Sequence, residues 1–131
     1  MRYTFRKYER LTSKTLIDKV FNEGKTFFSH PFKISFLENE TSQDPPVMVL
    51  ISVSKRNFSS AVRRNRIKRL IREAYRKNRH ILWGNNKDNP QNQLVISIVY
   101  VAKTIETYSE IERKLILILH RLIDKDERSI R

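Results

Sequence analysis

The chain has 131 residues, with 27 Lys and Arg against 14 Asp and Glu; its formal charge is +13, and 39% hydrophobic residues suffice for one modest core. It contains no cysteine, which excludes disulfides, thiolate zinc sites and cysteine nucleophiles. The N-terminal Met-Arg-Tyr-Thr-Phe-Arg-Lys lacks a signal-peptide apolar core, and no apolar run approaches the ~18 residues that span a bilayer, so a soluble, cytoplasmic protein without a membrane partner is expected.

In chain order, Thr12-Ser13 offers an N-cap, and Leu16, Ile17, Val20 and Phe21 follow at helical spacing until Gly24 ends the helix. Phe32-Lys33-Ile34-Ser35-Phe36 alternates with period two and predicts a half-buried strand, its aromatics facing the core and Lys33 and Ser35 the other side. A polar loop follows from Glu38 to Pro46. Val47 to Val53, continuous, apolar and rich in β-branched residues, predicts a central strand. Ser59 or Ser60 caps a helix that runs to about Arg79, with Trp83 packed at its end. Gly84 to Gln93 is a polar loop, Leu94 to Val101 a second buried strand. The last helix starts after Thr107, with Tyr108, Ile111, Leu115, Ile118, Leu119 and Leu122 as its apolar stripe. This order predicts a single domain over residues 1–131, an α/β or α+β two-layer sandwich with a small mixed sheet of about four strands. A β-α-β unit pairs the 47–53 and 94–101 strands in parallel.

Charge is concentrated in one place. Residues 55–79 hold eleven of the 27 bases and one acid, Glu73, and so carry +10 of the net charge. Yet Ile67, Leu70, Ile71 and Ala74 fall at i, i+3, i+4, i+7, so the segment is a helix with one buried face. Arg64, Asn65, Lys68, Arg69, Arg72 and Arg76 sweep an arc away from that face. Eight of the eleven bases are arginine, whose fork suits bidentate phosphate contacts. A folded row of cations with an asparagine inside it points to nucleic acid rather than to a solvated face. The basic helix follows a strand, unlike the reading helix of a helix-turn-helix, so RNA is favoured over duplex DNA.

Catalytic signals are sparse. Glu73 stands four residues before Lys77, the spacing of an ordinary helical ion pair. His30, His80 and His120 are isolated, the acids do not cluster for metal binding, and two glycines, Gly24 and Gly84, cannot build a phosphate-cradling loop. A stand-alone metal-dependent nuclease is disfavoured.

Ser52-Val53-Ser54-Lys55, then Ala61-Val62, then Arg64-Asn65-Arg66-Ile67-Lys68-Arg69-Leu70-Ile71-Arg72-Glu73 closely resembles the signature of the bacterial ribonuclease P protein component. Leu11, Lys19-Val20-Phe21 and Gly24 match as well, and the resemblance covers roughly residues 8–124. It implies a sandwich with a left-handed β-α-β crossover, against the general rule. It also implies a catalytic RNA partner, precursor tRNA as substrate, removal of the tRNA 5′ leader, and magnesium held mainly by the RNA and substrate, with one protein per RNA. Lys55, Arg56, Arg64, Asn65, Arg66, Lys68, Arg69, Arg72 and Arg76 are then the expected RNA-facing residues. Ile17 and Phe21, with Phe32, Lys33, Ile34, Ser35 and Phe36, are the expected surroundings of a leader cleft, although Phe21 and the strand aromatics also read as ordinary core. Ile17 stands where an aromatic is common, Leu50 where glycine is frequent and Tyr100 where many members have arginine; the last difference bears on a basic contact beside the cleft. A structural RNA-binding or RNA-chaperone protein with no enzymatic assembly is the alternative.

Overall fold

The computed structural model describes residues 10–39, 46–82 and 93–123; Trp83 and most of both polar loops lie outside them. Helix α1 (Lys14–Glu23) leads directly into strand β1 (Lys25–Ser29), followed by β2 (Phe32–Asn39), β3 (Val47–Val53), α2 (Ala61–Asn78), β4 (Gln93–Tyr100) and α3 (Tyr108–Ile123). The four strands form one sheet in the order β1-β2-β4-β3, with β1–β2 and β2–β4 antiparallel and β3–β4 parallel. The parallel pair and intervening α2 are the β-α-β unit expected from the sequence.

Capping sets the helix boundaries. Ser13 Oγ accepts from Leu16 N and Ser60 Oγ from Arg63 N, each at 3.3 Å, while Thr107 Oγ1 accepts from Glu110 N at 3.2 Å. Each hydroxyl thus satisfies a backbone donor that the first helical turn leaves without a partner.

Strand alternation divides the sheet into two unequal faces. Phe32, Ile34 and Phe36 of β2, the odd-numbered residues of β3 and the even-numbered residues of β4 point to one side. There they meet Ile67, Ile71, Ala74 and Tyr75 of α2 and Ile111, Leu115, Ile118, Leu119 and Leu122 of α3. This sheet-and-helix core is the sandwich predicted from the pattern, and each large apolar side chain buried in it contributes roughly 1.5–3 kcal/mol. The opposite face is covered in part by α1: Leu11, Val20 and Val95 form a small second cluster, with Leu16, Ile17, Leu37, Met48 and Leu50 packed around it. Strand β4, central in the sheet and covered on both sides, is buried along almost its whole length.

Strand β1 is absent from the elements read off the sequence. Its Lys-Thr-Phe-Phe-Ser places one aromatic on each face, Phe27 buried and Phe28 67% exposed. It joins β2 through the two residues His30 and Pro31, with Ser29 opposite Phe32. The 32–36 strand also extends to Asn39, held by β4 on its other side.

Candidate nucleic-acid interface

Helix α2 rests on the core through Ile67, Ile71, Ala74 and Tyr75, all fully buried, and this packing holds its cations in place despite their mutual repulsion. Arg63, Asn65, Arg66 and Arg69 are exposed; Arg64, Lys68, Arg72 and Arg76 are half-buried, their stems against the body of the protein. Lys55 and Arg56 stand exposed on the turn that leads into the helix.

That turn is itself braced. Asn57 Nδ2 donates to Val101 O at 2.9 Å, and Ser54 N to Tyr100 O at 3.4 Å, which anchors the entry to α2 on the end of β4. Phe58 is buried beside Tyr100, with ring centroids 6.2 Å apart, and the Arg63 guanidinium lies 5.2 Å from the Phe58 ring. Arg64 Nη1 donates to Phe58 O and Ser59 O, both at 2.8 Å. Arg64 therefore buttresses the start of α2 as well as contributing charge, a role its spacing did not reveal.

Farther along the helix, Asn65, Arg69, Arg72, Glu73 and Arg76 line an open pocket of about 510 Å³. Glu73 is paired mainly with Arg76, whose Nε donates to Oε2 at 3.1 Å; Lys77 Nζ lies 3.9 Å away. The expected Glu73–Lys77 pair is thus the outer part of a three-residue group, and the hydrogen bond from Arg76 holds the Glu73 carboxyl below its ordinary range. Arg72 differs: its Nε is buried and has no hydrogen-bond partner among the described residues. Burial and the neighbouring Arg10 both lower its pKa. Arg72 is thus held under like-charge repulsion from Arg10. Arg10 gave no signal in the sequence, because it reaches α2 only through a bridge to Val49 that lays residues 10 and 11 along β3.

The expected leader cleft is narrower than the sequence reading. Phe32, Ile34 and Phe36 belong to the core under α2 and α3, not to the face beneath α1, so they drop out of the cleft. The period-two pleat requires this once their side is covered. Lys33 and Ser35 point to the α1 face; Ser35 is buried and bonded to Thr26 across the hydroxyls at 3.1 Å, while Lys33 is half-exposed. Ile17 packs against the α1 cluster and Phe21 is 48% exposed on α1. Tyr100 is buried on the core side, its hydroxyl donating to Thr104 O at 2.7 Å and accepting from Glu106 N at 3.0 Å. It therefore lies on the core side of the sheet, away from the face beneath α1.

Among the described residues no group of three or more His, Asp or Glu is gathered to hold a metal ion, and no helix is long and apolar enough to cross a membrane.

The family model for ribonuclease P matches residues 5–123. The ribonuclease P protein component of Porphyromonas gingivalis is 35% identical over 109 residues, 83% of this chain and 79% of that protein. Its counterpart in Chlorobium phaeobacteroides is 30% identical over 128 residues, 91% and 88% of the two chains. Among solved structures, the Thermotoga maritima RNase P protein superposes with a TM-score of 0.68 at 24% identity, covering 86% of this chain and 96% of that one. The Staphylococcus aureus RNase P protein gives 0.62 at 20% identity, with 88% and 98% covered.

Proposed function

The chain belongs to the ribonuclease P protein family and is the protein subunit of that tRNA-processing endoribonuclease; we propose that its own part in the reaction is electrostatic and positional. The observation that carries this reading is the cationic face of α2, fixed by a buried apolar face beneath it. Arg64, Arg66, Lys68, Arg69 and Arg72, with Lys55 and Arg56 at the helix entry, bind phosphates of the catalytic RNA. Asn65 sits among them with an amide free to meet a base edge or a ribose hydroxyl.

The precursor tRNA is the substrate, and its 5′ leader runs along the sheet face beside α1. Neutralising backbone charge lets two polyanions approach, which raises substrate affinity and the effective affinity for magnesium. In this reading the magnesium belongs to the RNA and substrate, and no step is assigned to a protein-bound metal. One protein molecule per catalytic RNA and a cytoplasmic setting complete the proposal.

Reconstitution tests it. The protein, a bacterial catalytic RNA and a 5′-labelled precursor tRNA are combined at low magnesium, with each macromolecule alone as control. Cleavage at the mature 5′ end in the mixture and not with protein alone is expected. Neutralising Arg64, Arg66 or Lys68 should weaken binding and make the salt dependence shallower by about 0.7–0.9 in log–log slope per lost contact, while activity returns at high magnesium. Loss of the chemical step at saturating magnesium would overturn the electrostatic role.

A further inference from the structure

We propose that Asn57 is a positioning residue for RNA binding, its side-chain amide setting where Lys55 and Arg56 stand relative to the cations of α2; this rests on the reading above that those two residues meet RNA phosphates. Both side chains are exposed, on the turn at 55–57 that lies outside β3 and α2, so neither element fixes their backbone. Residues 55–79 carry +10, and like-charge repulsion favours any arrangement that swings the turn away from the helix. A tie is needed to keep the two cations in the row.

Asn57 supplies it. Its Nδ2 donates to Val101 O at 2.9 Å, with Ala102 O at 3.5 Å, a contact across 44 residues of sequence. Those carbonyls are a fixed reference. Val101 N donates to Pro31 O at 2.8 Å, and the buried Tyr100 just before it holds Thr104 O and Glu106 N through its hydroxyl. On the helix side, Phe58 N donates to Ser54 O at 3.1 Å, and Arg64 Nη1 grips the carbonyls of Phe58 and Ser59. Asn57 thus ties the turn to the sheet while Arg64 ties it to α2, which makes Lys55 and Arg56 part of one rigid cationic array. The amide chemistry fits the task, since one nitrogen offers two donors to two acceptors, whereas an aspartate there would face them with a third acceptor. A turn held in advance avoids the ordering cost that a mobile one would incur on binding.

The test is a double-mutant cycle on the full chain, with Kd for a bacterial catalytic RNA measured at several salt concentrations. The temperature is one at which circular dichroism shows every variant folded. K55Q/R56Q should bind about tenfold more weakly than the unaltered chain. Its log–log salt slope should be shallower by about 1.4–1.8, two contacts at about 0.7–0.9 each. N57A should reproduce most of both changes, and adding K55Q/R56Q to it should then change little. N57L, which fills the space without a donor, should match N57A and carries the same comparison if N57A does not fold. An undiminished loss from K55Q/R56Q on the N57A or N57L background, or a full slope in N57L, would overturn the positioning role while leaving the RNA-contact reading intact. If K55Q/R56Q leaves affinity and slope unchanged in the otherwise unaltered chain, the reading of those two residues fails and the role of Asn57 with it.

Discussion

Two residues show how one side chain's surroundings govern its contribution. The Tyr100 hydroxyl is buried with one donated and one accepted hydrogen bond, and burial pushes its pKa above the ordinary value. Tyr108 shifts in the same direction, also chiefly through burial. A raised folded-state pKa gives stability that is present below the unfolded value of about 10 and is lost as pH climbs through the folded one. Urea unfolding should therefore show stability falling above about pH 10. Y100F should cost about 1–2 kcal/mol at neutral pH, because the Glu106 N–H and Thr104 carbonyl lose a partner, and should make the alkaline fall shallower. Glu73 is the opposite case, a surface acid that occupies Arg76 and Lys77. E73Q should change stability by less than about 1 kcal/mol. It should also tighten RNA binding and steepen its log–log salt slope by about 0.7–0.9, read from titrations at several salt concentrations.

The elements differ in how far local chemistry specifies them. Helix α2 carries its cap, its apolar spacing and its cationic arc within a single segment, so its bounds and outward face were legible before any neighbour was known. Strand β1 has no such internal pattern; five residues with both aromatics adjacent become a strand because β2 supplies hydrogen bonds along their length. The junction before it depends on one glycine. A Cβ on Gly24 would lie 2.4 Å from Val20 O and 2.7 Å from Phe36 O, both backbone atoms, at an ordinary negative φ of −74°. Close approach is what requires glycine here, since no left-handed backbone is involved. G24A should destabilise the protein by about 1–3 kcal/mol in urea unfolding and displace α1, with Ile17 and Phe21, from the sheet.

At the scale of the whole molecule, the +13 charge acts in opposite directions on stability and binding. Cations gathered along α2 repel one another in the free protein, so added salt should raise its melting temperature by screening them. The same salt should weaken RNA binding, and with it the extra thermal stability that bound RNA confers. Melting curves with and without the catalytic RNA, at about 50 mM and 300 mM salt, should converge from opposite sides.

Composition, helical periodicity and the Arg64-Asn65-Arg66 signature determined the basic helix, the parallel β-α-β unit and the family, because these features are written in neighbouring residues. Alternation along β2 separated Phe32, Ile34 and Phe36 from Lys33 and Ser35, but the pleat alone is symmetrical. The packing of α2 and α3 on one side bears out the core placement expected for Phe32, Ile34 and Phe36 and removes them from the cleft that the resemblance implied. The repulsion of Arg72 by Arg10 and the bracing of Arg64 against Phe58 and Ser59 likewise depend on where the chain brings its separate parts together. Side-chain direction is a local property; which direction is covered, and by what, is decided when distant elements pack.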